Sequence, residues 1–171
     1  MPTLRADTAG TRAEPLRSAP MMQHAPSDYR CPFCALVRGE YNANNAADDI
    51  VFRDEQVLAR VAPKWWPDNP GSVLVIPVQH HENLYDLPAE LGSALAELTR
   101  RVAVAMRETY GCQGISTRQH NEPAGNQDVW HLHIHVLPRF VGDRLYQRHD
   151  EARWVSAEDR RPYAALLRGG F

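Results

Sequence analysis

The chain has 171 residues, of which 43% are hydrophobic and 23% are charged, and its formal net charge is -2. This length suits a single domain, and the composition is that of a globular protein able to bury a core. The small net charge argues against a nucleic-acid-binding or membrane-binding face, and no apolar run approaches the roughly 18 to 20 residues that span a bilayer. Because no apolar run follows the N-terminal arginines, no secretory signal is recognised and a cytoplasmic protein is predicted.

The first part of the chain is predicted to be a leader followed by a domain. Residues 1–28 are rich in Ala, Pro, Thr and Arg and show no apolar period, which is typical of a disordered segment. The domain is expected to occupy 29–148 and to open with two short strands, Ile50–Arg53 and Val57–Val61, around a polar turn. The next stretch, "KWWPDNPG", is punctuated by proline and glycine and is predicted to be a loop.

The later elements predict a sheet with one long helix. "SVLVIP" (Ser72–Pro77) is an apolar run of strand length. Apolar residues then recur at three- and four-residue steps over Pro88–Tyr110, so a helix is expected there, with Pro88 in its first turn and Gly111 at its end. "GISTRQH" and "VWHLHIHVLPRF" are predicted as the last two strands, and the extension 149–171 holds a candidate short helix in "RPYAALLRGGF". This order of elements predicts an α+β domain with a mainly antiparallel sheet.

Three of the eight histidines stand at alternate positions in "HLHIH". In a strand, alternate side chains point to one face, so His131, His133 and His135 are expected to share a face while the apolar residues between them fill the other. The first and third would lie about 13 Å apart along the strand, too far for one metal ion to bind all three without a severe kink. We therefore expect the histidines to divide into different roles.

The "CPFC" segment supplies Cys31 and Cys34, two of the chain's three cysteines. Such a pair marks either a zinc site or a redox centre, and the absence of a following βαβ pattern favours zinc. His80 and one histidine of the alternating strand could complete a Cys2His2 site, with His81 as the rival of His80.

The motif "HLHIHVL" resembles the His-x-His-x-His motif of the histidine-triad nucleotide hydrolases and transferases. "CPFC", "VFRDEQVLA", "PGSVLVIPVQHHENLYDL" and "HLHIHVLPRF" follow in the family's order, so the resemblance covers about 29–145. It implies an α+β fold with a sheet of about five strands, one long helix and short helices. The "HVLPR" ending is more similar to the fragile-histidine-triad, dinucleoside-polyphosphate-hydrolase side of the family.

The resemblance implies a role for each site residue. His133 would be the nucleophile that attacks an α-phosphate and forms a covalent nucleotidyl-histidine, and His135 would orient or stabilise that phosphate. Asn121 and Gln127 would bind phosphate oxygens. The structural zinc ligands would be Cys31, Cys34, His80 and His131. The protein is expected to act on nucleotides and to form a homodimer through the long helix, although the helix's apolar stripe could instead cover only the chain's own sheet.

Two features depart from the family's pattern. Asp128 stands where a serine or threonine usually precedes the triad strand, either repelling a polyphosphate or capping the turn. The acidic residue that usually holds the ribose has no clear counterpart, and Asp68 is a weak candidate. Trp65 and Trp66 could stack on a base or serve packing. His24, His120 and His149 lie outside these motifs and are expected to be solvated.

Two other functions remain open. One is a nucleotide-binding sensor with little catalytic activity, which the altered loop allows. The other is a zinc hydrolase that uses metal-bound water, which the histidine spacing and a closed Cys2His2 set disfavour.

Overall fold

A computed structural model describes residues 23–171, and within them the chain forms seven strands and three α-helices. The strands are β1 Ile50–Arg53, β2 Val57–Val61, β3 Lys64–Trp65, β4 Val73–Pro77, β5 Gly114–Gln119, β6 Ile134–Arg139 and β7 Arg153–Trp154. The α-helices are α1 Pro32–Val37, α2 Ala89–Thr109 and α3 Ala157–Arg168. Single turns of 3-10 helix lie at Ala47–Asp49, Pro123–Gly125 and His149–Glu151.

Five of the strands form one sheet in the order β1-β2-β4-β6-β5, and each neighbouring pair is antiparallel. The predicted α+β class, the antiparallel sheet of five strands and the single long helix are therefore confirmed. β2 and β4 lie inside the sheet and are buried at every position. Antiparallel pairing places residues of neighbouring strands side by side, and one such row consists of Arg60, Leu74, His135 and Arg118. This row positions the site.

The helix α2 packs its apolar stripe against the chain's own sheet. Leu95 and Val102 are 2% and 0% exposed, and the helix contacts β2, β4, β5, β6 and α3. The alternative, in which the stripe covers the chain's own sheet, is thus observed. Gly111 follows the helix with a positive φ of 65°, the left-handed conformation that ends many helices. Pro88 precedes the helix as its N-cap rather than lying inside the first turn.

The last strand starts later than the sequence predicts. β6 begins only at Ile134, so the prediction of a strand from Val129 is wrong at its N-terminal end. The chain before it bends, and the backbone N–H of Leu132 donates to the carbonyl of His81 instead of joining a strand ladder. Of the three histidines, only His135 lies in a strand. The alternation of side chains along a strand therefore does not determine the directions of the His131 and His133 side chains.

The C-terminal segment is built into the core. In α3, Ala164 and Leu167 are both 0% exposed. β7 pairs with β3, so the stretch predicted as a loop at "KWWPDNPG" begins with a short strand. Gly71 shows how closely α3 approaches this stretch, because a Cβ atom there would collide with the ring of Tyr163.

Most of the predicted leader, residues 1–22, lies outside the described residues. The remainder contacts the domain: the backbone N–H of His24 donates to Glu82 Oε1 at 2.6 Å, and the His24 ring lies 5.6 Å from the ring of Trp130. In the part of the chain from residue 23 onward, no helix is both long and apolar enough to cross a bilayer.

Candidate functional site

A cleft of about 430 Å³ opens on the sheet face that carries His135. His133 and His135 both line it, with ring centroids 4.9 Å apart. The cleft thus brings together the two histidines predicted to be catalytic. Its other lining groups come from α1, the loop 42–45, the β2–β3 connection, β5, the loop 120–129 and the segment around β7.

His133 is held in one orientation with one nitrogen facing the cleft. Its Nδ1–H donates to the carbonyl oxygen of His131 at 2.8 Å, which leaves Nε2 unprotonated in the neutral ring. The Phe33 ring packs in an edge contact with the imidazole, with ring centroids 5.3 Å apart, and the His133 side chain is nearly fully buried. Burial lowers the pKa of His133 below its ordinary value. The residue is therefore a neutral imidazole near pH 7 with its unprotonated nitrogen presented to the cleft.

His135 is joined by a further histidine that the motifs do not include. The His120 ring lies 5.9 Å from that of His135, and its Nδ1 hydrogen-bonds to the carbonyl of Asn126. Burial, followed by the charges of His133, His120 and Arg118, holds the pKa of His135 well below its usual range. The expectation that His120 is solvated is wrong. Of the other two outlying histidines, His24 is partly buried like His120 and so also departs from the expectation, and the side chain of His149 is outside the described residues.

The loop before the histidines presents Asp128 but turns its predicted phosphate-binding amides inward. Asp128 Oδ1 lies 4.0 Å from His133 Nε2, and the Asp128 side chain is 80% exposed. Gln127 is buried, and its Nε2 donates to the carbonyls of Glu82 and Val129. Asn121 accepts from the backbone N–H of Leu84 and pairs with Gln119. Within the described chain, neither amide lines the cleft, so the predicted phosphate contacts of Asn121 and Gln127 stay predictions.

The four predicted metal ligands lie close together and form a cluster. The ligand atoms of Cys31, Cys34, His80 and His131 all lie within 4.8 Å of one another. The Sγ of Cys31 is 3.3 Å from Nδ1 of His131, and the Sγ of Cys34 is 3.3 Å from Nδ1 of His80. Sulfur and nitrogen ligands of a tetrahedral zinc ion are separated by about 3.6 Å, so this set fits zinc. His81 lies outside the cluster, so the geometry favours His80 over its neighbour as the proposed ligand.

Hydrogen bonds to nearby backbone groups orient residues of this cluster. Cys31 caps the N-terminus of α1, and its sulfur accepts from the backbone N–H of Cys34. His131 Nε2–H donates to the carbonyl of Pro77 at 3.0 Å, which leaves Nδ1 available as a ligand. Burial raises the pKa of Cys34 to about 11 and lowers that of His131 to about 4. The cluster offers two cysteine sulfurs and two imidazole nitrogens as ligands, and a zinc ion bound there would displace protons from cysteine thiols.

One wall of the cleft is fixed by buried arginines. It is formed by the asparagine loop 42–45 together with Ala62, Pro63 and Lys64. Arg60 donates to Asn45 Oδ1 and, at 2.8 Å, to the carbonyl of Asn44. This arginine is fully buried, and burial lowers its pKa to about 10, still far above neutrality. No local pattern in the sequence predicts this arrangement, because an arginine inside a strand is usually taken as an exposed position.

The two tryptophans in "KWWPDNPG" have different positions. Trp65 is buried against the ring of Tyr163, whereas Trp66 lines the cleft with Trp154 of β7. Asp68 forms an ion pair with Arg148 and is absent from the cleft lining within the described residues, so the structure does not place it as a ribose-binding group.

The structure thus defines an α+β protein with a histidine pair in a cleft, supported by a Cys2His2 cluster. The HIT domain family matches residues 43–142, more than half of the chain, and the protein belongs to this family. An uncharacterized HIT-like protein of Methanocaldococcus jannaschii is 30% identical over 130 residues, 75% of this chain and 94% of the relative.

Two other relatives carry named activities. The adenosine 5'-monophosphoramidase HNT1 of Saccharomyces cerevisiae is 29% identical over 74% of this chain and 77% of its own length. The adenylylsulfatase HINT3 of Arabidopsis thaliana is 26% identical over 68% of this chain and 55% of its own length. Among solved structures, a zinc-bound histidine triad family protein from Mycobacterium smegmatis superposes with a TM-score of 0.67 at 32% identity, over 82% of this chain and 91% of the other.

Proposed function

We propose that this protein is a hydrolase or transferase that cleaves nucleotide conjugates at the α-phosphate, with His133 as the nucleophile. The observation that carries the proposal is the hydrogen bond from His133 Nδ1 to the His131 carbonyl, because it presents an unprotonated Nε2 to the cleft. A neutral imidazole is a good nucleophile toward phosphorus. Relatives named as a phosphoramidase and an adenylylsulfatase support the assignment.

The reaction proceeds in two displacements. The lone pair of His133 Nε2 attacks the α-phosphorus, the bond from phosphorus to the leaving group breaks, and a nucleotidyl-histidine forms. Water then attacks the same phosphorus, the phosphorus–nitrogen bond breaks, and the nucleoside monophosphate leaves with the neutral imidazole restored and the proton from water released to solvent. His135 lies 4.9 Å from the nucleophile, ring to ring, where it can hydrogen-bond to the α-phosphate oxygens.

Zinc has a structural role in this proposal. Four protein ligands complete a tetrahedral site and leave no open position for a substrate or an activated water, which disfavours a metal-water hydrolase. The ion would fix His131, whose carbonyl orients His133. Asn121 and Gln127 brace the loop that carries Asp128 in the described structure, and their proposed phosphate contacts would require those amides to turn.

The nucleotide is expected to lie with its base and ribose against the asparagine loop 42–45. Pro32, Phe33, Ala62 and Pro63 supply apolar surface there, and the asparagines of the loop 42–45 supply amide donors and acceptors. Such a surface with a few polar groups suits a nucleoside. The physiological conjugate would be a dinucleoside polyphosphate, a nucleoside phosphoramidate or a related adenylylated compound.

The test is a screen of dinucleoside polyphosphates, adenosine phosphoramidate and adenylyl sulfate, with products separated by chromatography. We expect release of nucleoside monophosphate, an acid-labile nucleotide trapped on the wild-type protein, and loss of both with His133→Ala. An adduct that persists in His133→Ala would exclude His133 as the nucleophile. Tight nucleotide binding without turnover of any substrate would favour the nucleotide-binding sensor.

A further inference from the structure

We infer that Arg118 binds the leaving group and selects substrates in which that group is an oxyanion, such as a second phosphate or a sulfate, over those in which it is an amine. The inference rests on the proposed function. Arg118 belongs to β5, lies outside the motifs noted in the sequence, and lines the same cleft as the two histidines.

The sheet places Arg118 directly beside the reaction centre. It is the register partner of His135 on the neighbouring strand, so both side chains project from the same face of the sheet. Directly opposed residues of an antiparallel pair have Cβ atoms about 5 Å apart. A phosphate held by His135 therefore lies within reach of a long arginine side chain on β5.

The guanidinium of Arg118 has unused hydrogen-bonding capacity. Its Nε and Nη2 atoms are buried and have no hydrogen-bond partner within residues 23–171. By contrast, Arg139, which also approaches Tyr146, has its Nε and Nη2 atoms satisfied by Asp143. Leaving buried charged donors unpaired is destabilising, and an oxyanion with several acceptor atoms would satisfy them.

Aromatic rings hold the guanidinium without neutralising it. The Trp66 ring centroid is 5.3 Å from the guanidinium carbon of Arg118, and that of Tyr146 is 4.8 Å away. Cation–π contacts attract the planar group but leave its N–H donors for a ligand. Because the two unpaired nitrogens are covered, the side chain must turn slightly to meet a substrate. Tyr146 is 65% exposed and so has room to move aside.

The order of residues across the sheet gives the direction that this role requires. The asparagine loop lies near Arg60 on β2, at one end of the row that runs across the sheet, and Arg118 lies at the other end on β5. With the nucleoside at the asparagine loop and the α-phosphate at the central histidines, the group beyond that phosphate faces Arg118.

The negative charge of Asp128 would repel an anionic leaving group, but this repulsion is weaker than the attraction by Arg118. Its side chain is 80% exposed, so water and salt screen its charge. The unpaired nitrogens of Arg118 are fully buried, where electrostatic interactions are stronger. When the phosphorus–oxygen bond breaks, the oxyanion keeps the electron pair and needs no proton, and Arg118 stabilises its charge. An amine leaving group needs a proton, which a guanidinium does not supply at neutral pH.

The decisive experiment measures binding without turnover, in the inactive His133→Ala background. Isothermal titration calorimetry should show that adenosine diphosphate binds about tenfold more tightly than the monophosphate, the gain expected from one charge-assisted contact. Adding Arg118→Gln should reduce this preference below about twofold while the monophosphate affinity is retained. Arg118→Lys keeps the positive charge but lacks the planar set of guanidinium N–H donors. It should give an intermediate preference for the diphosphate.

Arg53→Gln is the matched control, because it removes the same charge from the exposed end of β1, far from β5 in the strand order. It should leave the preference unchanged. In the active enzyme, Arg118→Gln should lower kcat/KM about tenfold for adenylyl sulfate and leave adenosine phosphoramidate within about twofold. A diphosphate preference that survives in both Arg118 variants would overturn the inference alone. Failure of either nucleotide to bind the His133→Ala protein would overturn the proposed function with it.

Discussion

Arg160 of α3 and Asp49 form a buried ion pair with two hydrogen bonds, from Nε to Oδ1 and from Nη2 to Oδ2, both 2.8 Å long. Arg60 donates to the same carboxylate at 2.9 Å, and Arg160 also donates to the carbonyl of Ala43. One carboxylate thus holds two buried guanidinium groups. Because Ala43 belongs to the asparagine loop, the C-terminal helix supports this wall of the cleft, although the helix lies outside residues 43–142, which match the family.

The first prediction is that Arg160→Ala destabilises the protein by about 3 to 5 kcal/mol, because it leaves Asp49 and Arg60 buried with an incomplete network. Urea unfolding monitored by circular dichroism measures this change. The matched control is the neighbouring Arg161→Ala, whose pair with Asp48 is 63% and 67% exposed. An exposed pair contributes at most about 1 kcal/mol. Equal losses in the two variants would show that the buried network is not the cause.

The second prediction concerns zinc. Purified wild-type protein should contain about one zinc ion per chain, and Cys31→Ser should lower both the zinc content and the midpoint of thermal unfolding. Cys112→Ser is the control, since Cys112 is buried away from the cluster and should leave the zinc content unchanged. Inductively coupled plasma mass spectrometry measures the metal. A wild-type protein that is metal-free and fully stable would contradict the prediction.

Local patterns in the sequence predicted much of the fold and part of the site. The three- and four-residue steps of apolar residues defined α2, and the apolar run before Pro77 defined β4, because both signals depend on neighbours in the chain. The "CPFC" spacing and the resemblance led to the four residues that cluster as metal ligands. In each of these cases, the residues concerned lie in a recognisable short motif.

The features that sequence analysis missed depend on contacts between distant segments. β6 starts at Ile134 because Leu132 bonds to His81, about fifty positions away. Arg60 and Arg160 are buried only because they share Asp49. Arg118 enters the cleft through its register with His135, which no spacing within β5 reveals.

The third prediction follows from Asp143, a buried carboxylate that accepts from Arg139, from Asn69 and from two backbone N–H groups. The hydrogen bond to Arg139 is the main reason that the pKa of Asp143 is held well below its usual range. A carboxyl group with a lower pKa in the folded state stabilises the protein above its unfolded pKa of about 3.9, and this contribution is lost as the pH falls further.

Asp143→Asn should therefore reduce stability by on the order of 2 kcal/mol near pH 7, with the difference from wild type constant down to about pH 4 and shrinking below it. Denaturant unfolding at a series of pH values measures the difference. Glu97→Gln, which changes an exposed carboxylate on α2, should show little difference at any pH. A wild-type advantage that grows as the pH falls would contradict the assigned sign.

The fourth prediction is a homodimer, and it now rests on the resemblance alone. The apolar stripe of α2 is buried within the chain and offers no free surface, although Val104 on the same helix is 43% exposed. Multi-angle light scattering at micromolar concentration should give twice the chain mass of 19.3 kDa. The mass of a single chain would refute the dimer.

The fifth prediction is that the three histidines of "HLHIH" give three different phenotypes, because the structure places them in different surroundings. His131→Ala should release zinc and lower thermal stability, since its Nδ1 lies 3.3 Å from the Cys31 sulfur in the ligand cluster. His133→Ala should abolish turnover and adduct formation with the zinc retained, because it removes the nucleophile from a cleft that is already built. His135→Ala should retain the metal and slow the reaction by about 10² to 10³-fold, the usual effect of losing one donor to a developing phosphate charge. Metal content, unfolding midpoint and single-turnover rate, measured on all three variants, separate these outcomes. If all three variants lost zinc to the same extent, the division of roles would be wrong.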